Sequence, residues 1–181
     1  MDVACDACCI INFLAAERIL SEANITNARR PKLYIPSEVA RESLYLLQPN
    51  PNAPNELIKT PIDLNPFLDS AALTLCTITT EEENALFVRL AIQVDDGEAA
   101  CLAIAKCRGM AVATDDRPAS RLAAELAVPV INTVQYLRQW GADVQATSND
   151  IANAITRIQR FARFIPRRDA ADAEWWFENA S

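Results

Sequence analysis

The sequence predicts an α/β fold, a three-layer α/β/α sandwich with a central, mainly parallel sheet, followed by a C-terminal helical extension. Short apolar strand candidates alternate with helical patterns up to about residue 140, as in sheets whose parallel strands are joined by helices. The chain has 181 residues and is 51% hydrophobic, which suits one well-buried core. The pattern then changes, so we expect a domain over residues 1–140 and a helical extension over 141–181, packed on this domain or projecting from it.

The first part of the chain alternates strand and helix candidates before a proline-rich segment. The candidates are, in order, a strand at 2–6, a helix at 8–22, a strand at 33–35 that Pro36 stops, and a helix at 37–48. Residues 49–61 hold four prolines and three asparagines. We expect this segment to form a loop or an insertion.

The second part continues the alternation with clearer start and stop signals. The candidates are a strand at 73–78, helices at 79–92 and 95–107, a strand at 110–113, a helix at 118–127, a strand at 128–131 and a helix at 133–140. Thr79 and Thr80 stand three residues before Glu82 and Glu83, which is the spacing of a capping box. Gly109 is expected to end the helix that precedes it.

Composition excludes several kinds of chemistry. The chain has no histidine and three glycines, which excludes Ser-His-Asp catalysis, histidine-ligated zinc and glycine-rich phosphate loops. Its 24 Asp and Glu residues, against 17 Lys and Arg, leave carboxylates as the main reactive groups, and these suit Mg²⁺ or Mn²⁺. The net charge of −7 argues against a general polyanion-binding surface, although bound cations reverse the sign of an acidic patch.

The chain lacks the features of export and membrane insertion. It has no apolar run of about 18 residues, and its N-terminus has no basic region, so we expect a cytoplasmic protein without a membrane span. Its six cysteines are then expected to be reduced and packed as small hydrophobes. Cys5, Cys8 and Cys9 form a CxxCC cluster, for which a metal-thiolate or redox role is the alternative.

Five acidic residues are the candidate metal ligands: Asp6, Glu42, Glu98, Asp115 and Asp116. Asp6 and the Asp115-Asp116 pair each follow a predicted strand, and the carboxyl ends of parallel strands are where sites form. Glu42 lies beside the buried face of the second predicted helix, and Glu98 lies in the first turn of another. Each acid has an ordinary explanation as a strand end, a helix cap or a dipole partner. Clustered carboxylates, however, are costly unless a cation neutralises them or some take up protons, which favours a metal site.

The final segment has the pattern of an amphipathic helix with a basic back. Its apolar arc comprises Ile151, Ile155, Ile158, Ala162 and Ile165, and its opposite side carries Arg157, Arg160, Arg163 and Arg167. We expect an accessory helix docked on the domain with a solvated basic face, or else a surface that contacts phosphates or an acidic partner. Trp175, Trp176 and Phe177 follow in a short helix candidate that is either docked or left as a partner-binding patch.

Three blocks of the sequence resemble the PIN-domain family. They are VACDACCIINFL at 3–14, YIPSEVARESLYLL at 34–47 and DDGEAACLAIAKCRGMAVATDDRPASRLA at 95–123, and NTVQYLRQW at 132–140 is similar to the family's terminal strand-to-helix segment. The third block is the most specific, because a GEA-type helix start is followed at the expected interval by a strand and a TDD-R turn. The resemblance implies a parallel sheet flanked by helices, an acidic metal pocket and divalent-metal-dependent ribonuclease activity, as in the toxins of toxin–antitoxin pairs.

The resemblance also implies roles for individual acids. Asp6 is similar to the first-strand aspartate and Glu42 to the helical glutamate of the family. Glu98 corresponds to the helix-start acid, and the TxD aspartate maps to Asp116 or Asp115. The chain departs from the family at the two positions after the first aspartate, where many members carry a hydroxyl or Asn and this chain has Ala and Cys.

From this resemblance we expect hydrolysis of phosphodiester bonds in single-stranded RNA, with one or two Mg²⁺ or Mn²⁺ ions positioning a water molecule. Arg117 is expected to hold a phosphate, or to pair with Asp115 or Glu98. The expected partners are RNA, an antitoxin protein and a second copy of the chain. Two alternatives stay open: a PIN-like binding or regulatory module of weak activity, and a cysteine-based metal or redox protein.

Overall fold

A computed structural model describes residues 1–21, 31–42 and 44–180. The strands in this part of the chain are β1 (Val3–Cys5), β2 (Leu33–Pro36), β3 (Tyr45–Asn50), β4 (Ala53–Pro61), β5 (Thr74–Cys76), β6 (Ala111–Ala113) and β7 (Val130–Ile131). Five of them form a sheet in the order β5-β2-β1-β6-β7, and every pairing within it is parallel. The other two form a separate antiparallel hairpin.

Helices flank the sheet and connect its strands. They are α1 (Ala7–Ala15), α2 (Arg18–Ser21), α3 (Ser37–Ala40), α4 (Asn65–Asp69), α5 (Glu81–Leu90), α6 (Asp96–Arg108), α7 (Arg117–Glu125), α8 (Thr133–Asp143), α9 (Ser148–Arg157) and α10 (Ala173–Asn179), with a π-helical turn at Ile158–Ala162. Strands β1 and β6 are buried throughout, as expected for parallel strands covered on both faces. The predicted α/β fold with a parallel central sheet flanked by helices is confirmed.

Helix α6 packs closely against the sheet because its side chains are small and apolar. Eight of its 13 residues are buried. Asp95 caps its start by accepting a hydrogen bond from the Glu98 backbone nitrogen at 2.9 Å. Gly109 ends it in the left-handed conformation, at a φ of 65°, as the sequence predicts. This packing fixes the position of the first turn, which carries Glu98.

Helix α5 begins with the predicted capping box. Thr80 Oγ1 accepts a hydrogen bond from the Glu83 backbone nitrogen at 3.1 Å, and Glu83 Oε2 accepts one from the Thr80 backbone nitrogen at 3.3 Å. The Glu83 carboxylate is 2% exposed and also accepts a hydrogen bond from Arg108 Nε at 2.6 Å. Arg108 Nη2 donates to the Thr77 carbonyl at 2.6 Å, so this network joins the start of α5 to the end of α6.

Replacing Glu83 by Gln is expected to lower the free energy of unfolding by about 1–3 kcal/mol at neutral pH, because the Arg108 guanidinium loses its charge partner. The hydrogen bond from Arg108 lowers the pKa of Glu83 from 4.5 to about 2. The stabilisation is therefore complete above about pH 4.5 and is lost as the pH falls towards 2. Urea unfolding should show that the difference in free energy of unfolding between wild type and Glu83→Gln disappears near about pH 3, with the exposed Glu81→Gln as control. A difference that does not change with pH would contradict this role of Glu83.

The helix predicted at 37–48 begins where expected but is wrong beyond Ala40, and residues 49–61, predicted as a loop or an insertion, do not form a loop. The helix stops at the end of α3, and the residues that follow form the hairpin of β3 and β4. The Tyr-Leu-Leu run that opens β3 fits a strand as well as a helix, and pairing with the strand that directly follows decides between them. Prolines are tolerated because each strand of a two-stranded hairpin has one side without backbone partners. Ser43, within the predicted helix, lies outside the described residues.

The first predicted helix, at 8–22, is divided into two. Helix α1 ends at Ala15, Glu17 adopts a φ of 63°, and α2 then begins at Arg18. A residue with a Cβ in the left-handed region interrupts a helix because its side chain crowds the backbone. Residue 22, the last of the predicted helix, lies outside the described residues.

The C-terminal segment packs on the same core as the sheet. Ile155 and Ile158, in α9 and the π turn, are fully buried, as is Trp176 in α10. The helical segment ends at Arg163, which has a φ of 57°. Ile165, predicted to lie on the apolar arc, is 60% exposed, so that part of the amphipathic prediction is wrong. Among the described residues, no helix combines the length and the apolar character that crossing a membrane requires.

Candidate active site

Two neighbouring strands, β1 and β6, bring the first carboxylate and its support together. Cys5 pairs in register with Ala113, so Asp6 and Thr114 follow side by side at the carboxyl ends of these strands. Asp6 is 5% exposed, and its Oδ2 accepts hydrogen bonds from Thr114 Oγ1 at 3.0 Å and from Cys8 Sγ at 3.1 Å. Burial raises the pKa of Asp6, while these hydrogen bonds act in the opposite direction. The result is a buried and oriented carboxylate where α/β folds form their sites.

The start of α6 adds further carboxylates to this place. Burial first, and then the negative charges of Asp6, Asp95 and Asp116, raise the pKa of Glu98 to about 8. Asp95, whose side chain caps α6, also raises the pKa values of Asp6 and Glu42 through its negative charge. Carboxylates from four separate parts of the chain therefore share one electrostatic field.

Glu42 lies in a turn after α3 and not on a helix as predicted. Its backbone nitrogen donates to the Val39 carbonyl at 3.1 Å, and its carboxylate rests against Gly97 of α6. A Cβ at position 97 would lie 2.1 Å from Glu42 Oε1, so glycine is needed there for this placement. Burial first, and then the charges of Asp95 and Asp6, raise the pKa of Glu42 to about 7. A cleft of about 570 Å³ opens beside it, lined by Glu38, Arg41, Glu42, Ala91, Val94, Asp95, Asp96 and Gly97.

Asp115 and Asp116 are neighbours in sequence that have different partners. Asp116 caps α7 by accepting a hydrogen bond from a backbone amide of its first turn at 2.9 Å, and its charge raises the pKa of Glu98. Asp115 Oδ2 instead accepts hydrogen bonds from Thr133 Oγ1 at 2.5 Å and from Asn12 Nδ2 at 3.1 Å. Asp115 therefore holds the start of α8 against α1, and the geometry favours Asp116 as the member of the carboxylate group.

The acidic cluster, defined here as Asp6, Glu42, Asp95, Glu98 and Asp116, has the donor chemistry for a hard divalent cation. Carboxylate oxygens are the ligands that Mg²⁺ and Mn²⁺ prefer. In the described part of the chain, no three of these carboxylates have oxygens all within 4.8 Å of one another, so they are more widely spaced than a closed set of ligands. Burial first, and then the negative charges of the neighbouring acids, raise the pKa values of Glu42 and Glu98. A divalent cation would offset these negative charges, so the chemistry of the residues fits such an ion.

A second group of potential ligands lies beside Asp6. Cys8 Sγ, Cys9 Sγ and a carboxylate oxygen of Asp115 all lie within 4.8 Å of one another. Cys5 points elsewhere, since its Sγ donates to a backbone carbonyl of its own strand at 3.8 Å, so the CxxCC motif does not converge as one group. Cys5 and Cys9 are fully buried, as expected for thiols packed as small hydrophobes. Burial also raises the pKa of Cys9 well above its ordinary value, which keeps this thiol protonated.

Arg117 pairs with a residue that the sequence does not suggest. Its guanidinium contacts the Asp169 carboxylate, and Arg167 Nε lies 3.4 Å from the same carboxylate. The partners predicted as alternatives, Asp115 and Glu98, form no ion pair with Arg117 in the structure as described. We call Arg117, Arg167 and the Asp169 carboxylate between them the arginine bridge. All three of its side chains are more than half exposed. Asp169 lies 52 residues after Arg117, so no local pattern could have paired them.

With a chelator present, the protein is expected to lose stability as the pH rises, because Glu98 must ionise where it is partly buried and surrounded by other negative charges. Its pKa is 4.5 when unfolded and about 8 when folded, so the folded state binds more protons across this window and the free energy of unfolding falls. Glu98→Gln should therefore be more stable than wild type by about 1–2 kcal/mol near pH 8, after allowance for solvent screening. Urea unfolding at about pH 5 and at pH 8 measures this difference, with the exposed Glu82→Gln as control. If wild type and Glu98→Gln had the same free energy of unfolding at both pH values, the prediction would be wrong.

One of three comparisons with known proteins identifies a family. A family model described as a PIN domain matches residues 2–169, which includes every member of the acidic cluster and most of the C-terminal segment. No curated protein and no solved structure matches the chain.

Proposed function

The chain belongs to the PIN-domain family, whose members are generally nucleases, and from this premise we propose that it is a divalent-metal-dependent endoribonuclease that hydrolyses phosphodiester bonds in single-stranded RNA. The observation that supports this proposal is the acidic cluster, in which burial and mutual repulsion make the negative charges costly without a cation. Glu83, by contrast, has its charge neutralised by an ion pair with Arg108.

The proposed metal ligands are Asp6, Glu98 and Asp116, with Glu42 in support, and the proposed ions are Mg²⁺ or Mn²⁺. When bound, such an ion lowers the pKa of a water molecule and neutralises charge on the scissile phosphate and the leaving oxygen. Asp115 contributes indirectly, because its hydrogen bonds hold the start of α8 in place.

The chain itself prepares the site for this chemistry. Thr114 Oγ1 donates to Asp6 Oδ2 at 3.0 Å and accepts from the Asp116 backbone nitrogen at 3.1 Å, so one hydroxyl orients the Asp6 carboxylate and positions the Asp116 backbone. Ligands held in this way need little reorganisation when the substrate binds. Glu98 and Glu42, whose pKa values are about 8 and 7, give up their protons as the cation arrives, so cation affinity should increase with pH.

The experiment that tests this function is cleavage of a labelled single-stranded RNA by the purified protein. We expect cleavage with Mg²⁺ or Mn²⁺ and complete loss on addition of chelator, and restored cleavage when the cation is returned. Activity that survives the chelator would exclude the proposed chemistry. A duplex RNA and a single-stranded DNA of the same sequence serve as controls for the substrate class.

The proposal includes a role as the toxin of a toxin–antitoxin pair, acting as a homodimer that an antitoxin protein inhibits. This role is supported by the family resemblance of residues 95–123, which carry the GEA helix start and the TDD-R turn. Co-expression with the neighbouring reading frame should protect cells from growth arrest and should yield a stable complex. If the protein arrested growth and the neighbouring reading frame did not relieve the arrest, the toxin–antitoxin role would be wrong, while the nuclease activity would still stand.

Two other functions remain as outcomes of these tests. RNA binding without cleavage would indicate a PIN-like binding or regulatory module, consistent with the Ala and Cys that follow Asp6. The proximity of Cys8, Cys9 and Asp115 instead favours a thiol-based metal or redox protein. Zinc retained by the purified protein and lost on alkylation of its thiols would support that function.

A further inference from the structure

A pocket of about 400 Å³ lies beside the arginine bridge, between the starts of α7 and α8 and the segment that follows the π turn. Its polar lining includes Thr114, whose hydroxyl binds Asp6 and Asp116 of the acidic cluster. The pocket is therefore next to the proposed site of cleavage. Its volume lies within the range of about 300–1,000 Å³ that is usual for small-ligand sites.

The lining of this pocket combines the groups that recognise a nucleotide. Phe164 and Val130 contribute apolar surface, and a half-buried aromatic ring can stack on a base. Gln135 also lines the pocket: its Oε1 accepts from the Asn132 backbone nitrogen at 3.1 Å, while its amide nitrogen has no hydrogen-bond partner among the described residues. That nitrogen is a donor suited to the edge of a base.

The arginine bridge supplies the positive charge at the pocket. Arg117 and Arg167 both line it, in a chain whose net charge is −7. The single carboxylate of Asp169 contacts both guanidinium groups. A phosphodiester carries the same charge as this carboxylate and can likewise accept bidentate hydrogen bonds from arginine. Because the pairs are exposed, exchanging the carboxylate for a phosphate costs little.

We infer that this pocket binds one nucleotide of the RNA strand next to the cleaved bond, and that Asp169 occupies the place of its phosphate between Arg117 and Arg167 until RNA binds. This inference rests on the proposed function. Asp169 thereby acts as an internal competitor of the substrate, and the pocket walls determine which base is accepted.

The charge part of the inference is tested by Asp169→Asn. The probe is a fluorescein-labelled single-stranded RNA of mixed sequence, and the measurement is its anisotropy at low ionic strength with chelator present to prevent cleavage. We expect Asp169→Asn to bind about threefold to tenfold more tightly than wild type, because both arginines are released. Asp69→Asn makes the same chemical change on α4, next to the opposite edge strand of the sheet, and should bind as wild type does. Equal affinities of the two variants would overturn the inference.

The pocket itself is tested by Ala171→Trp. Ala171 is exposed and lines the pocket, so an indole there fills the space without disturbing the core. We expect at least about fivefold weaker RNA binding, the loss of roughly one stacked base. Ala124→Trp, at an exposed position of α7 outside the pocket, is the matched control. If the two variants bind RNA equally, the pocket has no part in binding.

Arg167→Gln separates phosphate contact from base contact. It should weaken binding and reduce the slope of log affinity against log salt by about 0.7, the value for one phosphate contact on a single strand. An unchanged slope would overturn the assignment of a phosphate to this arginine. If the wild-type protein neither binds nor cuts RNA, both the proposed function and this inference are wrong. If the wild type cuts RNA but Asp169→Asn and Ala171→Trp behave as their controls do, only this inference is wrong.

Discussion

Asp6→Asn is expected to lower metal-dependent RNA cleavage by at least about a hundredfold while the fold remains intact. Asn has nearly the same size and caps a helix as well as Asp does, so α1 should still begin at Ala7. The substitution removes one negative charge from a cluster whose charges repel, so the free energy of unfolding should stay equal or rise. The activity loss would thus come from the missing ligand and not from unfolding.

Initial rates on a labelled RNA at saturating Mg²⁺ measure this effect, and urea unfolding with chelator checks the fold. Asp69→Asn controls for the change in net charge, since Asp69 is exposed on α4. Asp115→Asn provides a second comparison: it should destabilise the protein by breaking the contact with Thr133, and so reduce activity through the fold. Full activity in Asp6→Asn would exclude Asp6 as a metal ligand.

Gly97→Ala is expected to reduce cleavage about tenfold to a hundredfold without unfolding the protein. The added Cβ would lie 2.1 Å from Glu42 Oε1 and 3.2 Å from Val39 Cγ2, so the end of the Glu42 side chain must move away. The helix itself should tolerate the change, because alanine is favoured over glycine in a helix by about 0.5–1 kcal/mol. The substitution therefore displaces the Glu42 carboxylate, while the buried Val39 side chain has to shift by only a few tenths of an ångström.

A double-mutant cycle with Glu42→Gln gives this prediction its control. If Gly97→Ala acts through Glu42, the double variant should be no less active than Glu42→Gln alone. Gly141→Ala in α8 is the matched substitution, since a Cβ there makes ordinary contact with Ile151 Cδ1 at 3.4 Å. Independent, multiplying losses in the double variant would show that Glu42 is not the residue displaced.

Local signals in the sequence predicted the elements that depend on local contacts. The capping box of Thr80 and Glu83 and the left-handed Gly109 each involve residues within a few positions, so α5 and α6 were predicted with nearly correct ends. The convergence of Asp6 and Asp116 could also be anticipated, because parallel strands end at one edge of a sheet.

Features decided by pairing and tertiary contacts could not be predicted in this way. The residues of β3 form a strand because β4, which follows directly, pairs with them, and the helical alternative for 37–48 fits the local pattern equally well. Glu42 consequently reaches the cluster from a turn, positioned by its contact with Gly97. Asp95 was missed as a member of the cluster because its capping role gives a sufficient local explanation. Asp169 pairs with Arg117 through tertiary packing of the C-terminal segment.

The buried Trp176 affects which anions can replace Asp169 at Arg117 and Arg167. It holds α10 on the core, while the π turn is held by Ile158, so the intervening segment with Asp169 is fixed at both ends. A group tethered over such a short span has an effective concentration on the order of millimolar, which a free competitor must exceed. Small anions at lower concentrations would therefore not displace Asp169 from the two arginines. A polymer that makes several contacts at once would bind tightly enough to displace it.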